Sequence, residues 1–128
     1  MRGAVNSVTA ARVPRLYARN ERVICAFEGE LGPFVVILVG ALMVASISTV
    51  WHGEITPCAA SAGVRRLMPA TGIDLWQPRA AELGRFNMGS TVILLLPGSV
   101  AQWDSALGPG SVVRVGQTLA TLHSARAA

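Results

Sequence analysis

The stretch FVVILVGALMVASISTVW (residues 34–51) decides the fold, because its eighteen uncharged, mostly apolar residues fit either a membrane-spanning helix or buried strands. A helix needs about 17 to 25 such residues to span a bilayer. However, the stretch is dense in β-branched residues, and Gly40 interrupts it. In the second half of the stretch, serine and threonine residues separate the valine and isoleucine residues. This pattern favours two buried strands, at about 34–41 and 43–51, that meet near Gly40. A spanning helix is the alternative.

The sequence that follows continues this pattern of short strands and turns. A strand ends near residues 54–57, and the mixed segment 57–81 is typical of a surface excursion. Residues 90–96 predict a strand that stops at a Pro-Gly pair. Residues 108–122 begin with a predicted turn, which three valines follow. A second turn at the Gly-Gln pair and a last strand are predicted after the valines. The fold class is therefore mainly β (α+β possible), in a sandwich or barrel-like sheet. At 128 residues, the chain predicts a single domain, 1–128.

The composition excludes several kinds of chemistry. The chain has 52% apolar and only 14% charged residues, fewer charges than the roughly 25% of a typical soluble domain. Its net charge is +4, and all eleven basic residues are arginine. Without lysine, the chain cannot form a pyridoxal phosphate Schiff base, carry lipoyl or biotinyl groups, or complete a Walker A motif. Scattered arginines and 5% aromatic residues also argue against nucleic acid as a partner.

The few residues that could bind metal do not form a recognisable site. Cys25 and Cys58 lie far apart in the sequence and are expected to be small buried residues, so we predict no metal. His52 follows a predicted strand and is expected at the surface or in packing. The tryptophans could anchor at a lipid interface or pack in the core. These are Trp51, Trp76 and Trp103.

Five collinear blocks together give the chain a specific resemblance. They are ARNERV (18–23), GP…ILVGA (32–41), STVWHGEITP (48–57), ELGRFNMGSTVILL (82–95) and VGQTLA (115–120). In this order they resemble the C-terminal part of bacterial phosphatidylserine decarboxylase proenzymes. The resemblance covers nearly the whole chain.

The resemblance implies self-cleavage at the Gly-Ser bond of a Leu-Gly-Ser-Thr motif, which here reads Met88-Gly89-Ser90-Thr91. Leucine to methionine conserves volume and should be tolerated. Ser90 would become a pyruvoyl group, the cofactor, which forms a Schiff base with the substrate amine and accepts electrons as carbon dioxide leaves. Thr91 would either polarise the scissile carbonyl or hydrogen-bond the turn. Residues 1–89 would belong to a β subunit and residues 90–128 to an α subunit.

The implied enzyme is a carboxy-lyase of phospholipid biosynthesis, which converts phosphatidylserine to phosphatidylethanolamine. The resemblance also implies a peripheral protein on the inner face of the cytoplasmic membrane. A positive chain is suited to such an anionic surface. Glu82 and Arg85 match residue types that the family carries before its cleavage motif. They could orient the loop as a charge pair or simply be solvated.

The sequence departs from the family in one respect that concerns the mechanism. The family's self-cleavage uses an Asp-His-Ser triad whose Asp and His lie upstream of every matched block, and neither His52 nor His123 takes that role. We therefore expect a chain truncated at its N-terminus that neither processes nor decarboxylates alone. A second hypothesis is an active enzyme whose other half is a separate chain. A third is a non-enzymatic β-barrel or membrane-associated binding module.

Overall fold

The computed structural model describes residues 12, 14, 20–30, 32–40, 46–55, 75–86, 91–98 and 100–123. Every element whose bounds it describes is a strand, in agreement with the predicted mainly β fold. The eight strands are β1 (Arg22–Gly29), β2 (Gly32–Val39), β3 (Ile47–Thr49), β4 (Gly53–Ile55), β5 (Gly84–Phe86), β6 (Thr91–Leu95), β7 (Ala101–Trp103) and β8 (Ala120–Leu122). They form three open sheets, with the orders β1-β2-β6, β4-β3-β5 and β7-β8.

The stretch 34–51 contains strands, as predicted. The first predicted strand, 34–41, corresponds to β2, and the second, 43–51, is shorter because β3 covers only Ile47–Thr49. Residues 41–45 lie outside the described residues. Among the residues described, no helix has the length and apolar character needed to cross a bilayer. The spanning-helix alternative is therefore wrong for the strand residues of this stretch.

The chain divides into two compact units, and the single-domain assignment stays a prediction. Unit 1 comprises Met1–Val23 and Ile37–Ile93, and unit 2 comprises Ile24–Val36 and Leu94–Ala128. The buried apolar residues described in unit 1 are Leu38, Val39 and Ile47. Those described in unit 2 are Cys25 and Val100. Apolar burial of this kind is the main favourable contribution to folding.

In unit 1, β3 is the central strand of an antiparallel sheet. It joins β4 through a tight turn over 50–52, where the His52 amide donates to the Thr49 carbonyl at 3.4 Å. Gly53 then takes a φ of 74°, in the left-handed region that favours glycine. On the other side β3 pairs with β5, and the Val50 amide extends this ladder by donating to the Leu83 carbonyl at 3.2 Å. Both flanks of β3 are thereby held in register.

In unit 2, the last strand lies where the sequence predicts it. β8 pairs with β7 in antiparallel fashion, and two further backbone hydrogen bonds extend the ladder, from Asp104 to Leu119 and from His123 to Val100. The predicted turn at the Gly-Gln pair is confirmed, since Gly116 has a φ of 82° and the Gln117 amide donates to the Arg114 carbonyl. The valines before that turn belong to no strand.

Candidate functional site

The predicted cleavage motif lies between two strands of known position. Met88, Gly89 and Ser90 are outside the described residues, so the cleavage bond stays a prediction. β5 ends at Phe86 before the motif, and β6 begins at Thr91 directly after Ser90. The predicted strand over 90–96 is confirmed as β6, with Thr91 half-buried as its first residue.

The strand that leads into the motif is fixed by its pairing with β3. The register places Phe86 opposite Ile47, Arg85 opposite Ser48 and Gly84 opposite Thr49. Gly84 is required at its position, because a Cβ there would collide with the backbone carbonyl oxygen of Ser48. The same Cβ would lie 3.3 Å from the Thr49 Cα. Only glycine therefore allows β5 to approach β3 this closely, and that approach sets where the chain enters the motif.

A cavity of about 470 Å³ opens beside this strand pair in unit 1. It is lined by Ser48, Thr49, Val50, Gly53, Glu54, Glu82, Gly84 and Arg85. These residues offer a guanidinium group, two carboxylates and a serine hydroxyl within one concave surface. Chemically, such a set can contact a ligand that carries both positive and negative groups.

Arg85 and Glu82 form the charge pair that the sequence left as one of two alternatives. Arg85 Nε lies 3.1 Å from Glu82 Oε1, at a spacing of three residues. The two side chains are 68% and 53% exposed, so the pair is also well solvated. An exposed pair of this kind contributes only about 0.2–1 kcal/mol to stability. Its positive group therefore stays accessible to a ligand in the cavity.

Thr49 is a feature of this site that sequence reasoning missed. The residue is only 3% exposed, and its Oγ1 is buried and has no hydrogen-bond partner among the residues that the structure describes. A buried unpaired hydroxyl costs about 1–3 kcal/mol. No pattern in the sequence identifies it, because its burial depends on β4 and β5 lying on either side of β3.

The other residues singled out in the sequence behave mostly as expected. His52 is exposed in the turn after β3, in agreement with a surface position. His123, in unit 2, lies 3.3 Å from Gln102 Oε1 through its Nε2 atom. Cys25 is buried, and this burial raises the pKa of its thiol above the ordinary value. Cys58 lies outside the described residues.

The tryptophans differ in exposure, which bears on the two roles considered for them. Trp51 is half-buried, whereas Trp76 and Trp103 are largely exposed. Exposure to solvent, which Trp76 and Trp103 both have, is needed for an anchor at a lipid interface, and contact with a membrane stays a prediction.

Among the residues in the described ranges, no group of three or more His, Cys, Asp or Glu side chains is gathered in a way that could hold a metal ion.

Comparison with known proteins shows the family to which this chain belongs. The sequence model of the phosphatidylserine decarboxylase family matches residues 2–121. The chain is 49% identical over 117 residues to the phosphatidylserine decarboxylase proenzyme of Pseudomonas putida, and 51% identical over 116 residues to that of Methylococcus capsulatus. Each alignment covers 91% of this chain. The chain belongs to the phosphatidylserine decarboxylase family.

The match is to only part of each relative. The chain spans 41% of the Pseudomonas putida protein and 40% of the Methylococcus capsulatus protein, and it corresponds to their C-terminal part. The proenzyme of Nitrosospira multiformis gives the same picture, with 46% identity over 120 residues and 41% of its length covered. No solved structure matches the chain.

Proposed function

We propose that the chain supplies the self-cleaving segment of a phosphatidylserine decarboxylase, in which Ser90 is converted to a pyruvoyl group. The observation that carries the proposal is the family match over residues 2–121, which includes the sequence Met88-Gly89-Ser90-Thr91. The relatives are named proenzymes, a name that fits activation by cleavage. The assembled enzyme is a carboxy-lyase that converts phosphatidylserine to phosphatidylethanolamine.

The elements on either side of the motif support cleavage at Gly89–Ser90. The Oγ of Ser90 has to reach the carbonyl carbon of the residue before it, which demands an unusual backbone conformation. Glycine enters such conformations at lower cost than any other residue. β6 begins directly after Ser90, so a new N-terminus at this position would continue into a strand. A group that is held on a regular strand is positioned more rigidly than one on a loop.

The bonds that form and break in cleavage balance with one water as the only added reactant. Attack of the Ser90 Oγ on the Gly89 carbonyl carbon moves the acyl group from nitrogen to oxygen and gives an ester. Loss of the Ser90 Hα as a proton then breaks the Cβ–O bond, releases the Gly89 carboxylate and leaves dehydroalanine. Tautomerisation and addition of one water release ammonia and leave a pyruvoyl group. Serine suits both steps, since it supplies the nucleophile and then the leaving oxygen.

The pyruvoyl group supplies an electron-withdrawing carbonyl that serves in place of pyridoxal phosphate in amino acid decarboxylation. The chain fits this group, because it is made from Ser90 and requires no separate binding pocket. Thr91, half-buried at the start of β6, is the neighbour that would hold it in place. A chain without lysine is suited to this route, since it cannot anchor pyridoxal phosphate as a Schiff base.

The cavity beside β5 is the place where the chain would contact the substrate headgroup. A phosphoserine headgroup carries an ammonium, a carboxylate and a phosphate. The Arg85 guanidinium complements the two anionic groups, and the Glu54 carboxylate complements the ammonium. Arg85 precedes Ser90 by five residues. In the assembled enzyme, Arg85→Ala should raise the KM for phosphatidylserine more than it lowers kcat, whereas an unchanged KM would remove Arg85 from the headgroup site.

The enzyme would work as a peripheral protein at the inner face of the cytoplasmic membrane. Support comes from the net charge of +4 and from the exposed tryptophans. Each arginine near an anionic bilayer contributes about 1 kcal/mol of attraction. Flotation with vesicles tests this: the chain should bind phosphatidylserine-containing vesicles and release them at high salt. Equal binding to neutral vesicles would contradict the electrostatic part of the proposal.

Cleavage itself is tested with intact mass spectrometry. The family's general base lies upstream of the matched blocks, so residues 1–128 alone should remain uncleaved. Co-expression with the N-terminal segment of the Pseudomonas putida relative should yield two fragments that separate at Gly89–Ser90. Ser90→Ala should prevent this, and its lack of effect would favour a non-enzymatic binding module.

A further inference from the structure

Unit 2 presents an apolar groove of about 300 Å³. We define the groove by Phe34, Leu94, Leu96, Trp103, Leu119 and Leu122. Trp103 is 52% exposed and Leu122 is 50% exposed, so large apolar side chains face solvent at its walls. Single exposed apolar residues are common on protein surfaces, but a concave group of them marks a place where something binds.

A second apolar feature of unit 2 is the valine segment, Val112–Val115. Val112 is 85% exposed, Val113 is 53% exposed and Val115 is fully exposed. Its sequence, Val-Val-Arg-Val, has the β-branched composition of a strand, but it belongs to no ladder among residues 100–123. Turns bound it, with Gly110 and Gly116 both in the left-handed region. The segment is therefore exposed to solvent and pairs with no strand among the described residues.

Unit 2 contains most of β1 and β2 and, as a separate sheet, the small ribbon β7-β8. β7 and β8 have three residues each and, in the part of the chain that the structure describes, pair only with each other. A two-stranded ribbon is marginally stable in water without further strands or a packed face. The outer edges of this ribbon pair with no other strand among the described residues, and an open edge of this kind can accept an added strand.

The lengths of the relatives indicate what covers these surfaces. Proteins of this family that match the chain at about half identity carry more than half of their length outside the matched part. We infer that the groove and the valine segment of unit 2 are the docking surface for the polypeptide that corresponds to this additional N-terminal part. Added strand pairing requires backbone donors and acceptors, which a lipid acyl chain lacks, so a polypeptide fits both features.

This inference rests on family membership and not on the chemistry proposed at Ser90. Docking depends on Phe34 and on residues from Leu94 onward, whereas cleavage depends on Gly89 and Ser90. An experiment that measures association in an uncleavable chain therefore separates the two. The Ser90→Ala chain provides this background, because it retains every residue of the groove and of the valine segment.

The experiment co-expresses the 128-residue Ser90→Ala chain with the N-terminal segment of the Pseudomonas putida relative that lies outside the match. The complex is isolated through a tag on that segment, and its stoichiometry is measured by size-exclusion chromatography with light scattering. We expect a one-to-one complex. Leu122→Glu in the groove and Val115→Glu in the valine segment should each lower the yield of complex at least tenfold. The matched control is Ser105→Glu, which adds the same charge at another exposed position of unit 2 and should leave the yield unchanged.

Each other result overturns the inference. Failure of the Ser90→Ala chain to bind the segment removes the proposed partner. Full binding by both glutamate variants removes the proposed surface. If the chain instead forms a dimer that the two variants dissociate, a second copy occupies the groove. If the variants abolish binding to lipid vesicles and spare the complex, the surface is a membrane contact. Far-UV circular dichroism of each variant checks that it has kept its strands.

Discussion

Replacing Gly84 with alanine should destabilise the sheet that leads into the cleavage motif. The added Cβ would collide with the backbone oxygen of Ser48 and would lie 3.3 Å from both the Ser48 carbonyl carbon and the Thr49 Cα. All three atoms belong to the backbone of β3, so no side-chain rotation can relieve the contact. β5 has to move away from β3, which weakens the pairing of Gly84 with Thr49 and of its neighbours.

Two effects of opposite sign determine the size of the change. Overpacking of this kind typically costs about 1–3 kcal/mol. Alanine also restricts the unfolded chain, which stabilises the folded state by about 0.4–1 kcal/mol at a position without strain. Because the collision is with backbone, we expect the cost to exceed the gain and to leave a net loss of about 1–2 kcal/mol.

Urea denaturation of the whole chain measures this loss. With a slope of roughly 2 kcal/mol per molar urea, the midpoint should fall by roughly 0.5–1 M. The matched control is Gly98→Ala, where a Cβ meets no atom within 4 Å, and its midpoint should stay the same or rise. A Gly84→Ala midpoint equal to that of the control would refute the close approach of β5 to β3.

Three further predictions concern single side chains. Thr49→Val should raise the free energy of unfolding by about 1 kcal/mol, because it removes a buried unpaired hydroxyl, and a drop in the denaturation midpoint would show that the hydroxyl has a partner. Arg85→Ala and Glu82→Ala should each change stability by less than about 1 kcal/mol and by less still in high salt, since their pair is exposed; a larger loss in thermal denaturation would mean a structural role. In a Cys58→Ser background, Cys25 should react with iodoacetamide at pH 8 more slowly in the folded than in the urea-unfolded chain, because burial raises its pKa above the ordinary 9.0. The stability that the buried neutral thiol contributes should be complete below pH 9.0 and be lost as the pH rises towards the folded pKa.

Local sequence patterns predict several strands of this protein, whereas β1, β5 and β7 lie in segments for which no strand was predicted. The β-branched run at 34–41 and the apolar run at 90–96 each agree with a strand to within two residues, β2 and β6. In both segments the periodicity and the composition favour a strand, although the length of the apolar stretch that contains the first one also fits a spanning helix. The turn at Gly116 was also predictable from the sequence, because glycine readily takes the positive φ that this turn uses.

Features that depend on which strands pair could not be predicted from the sequence. The requirement for glycine at position 84 and the burial of Thr49 both follow from the register of β5 against β3. Glu82 and Arg85 were visible as a pair, but whether the pair is buried depends on what covers it. The valine segment shows the converse case, because its composition is that of a strand while its residues belong to none of the described strands.

The central claim is that the Gly89–Ser90 bond is cleaved to give a pyruvoyl group, and mass spectrometry of the residue 90–128 fragment tests it most directly. The fragment should be taken from the chain co-expressed with the N-terminal segment of the Pseudomonas putida relative. We predict a fragment that is lighter, by the mass of one ammonia, than one that begins with serine, and that gains two hydrogens on treatment with borohydride. A fragment with an intact N-terminal serine, cleavage at another bond, or an uncleaved chain in the assembled complex would contradict the claim.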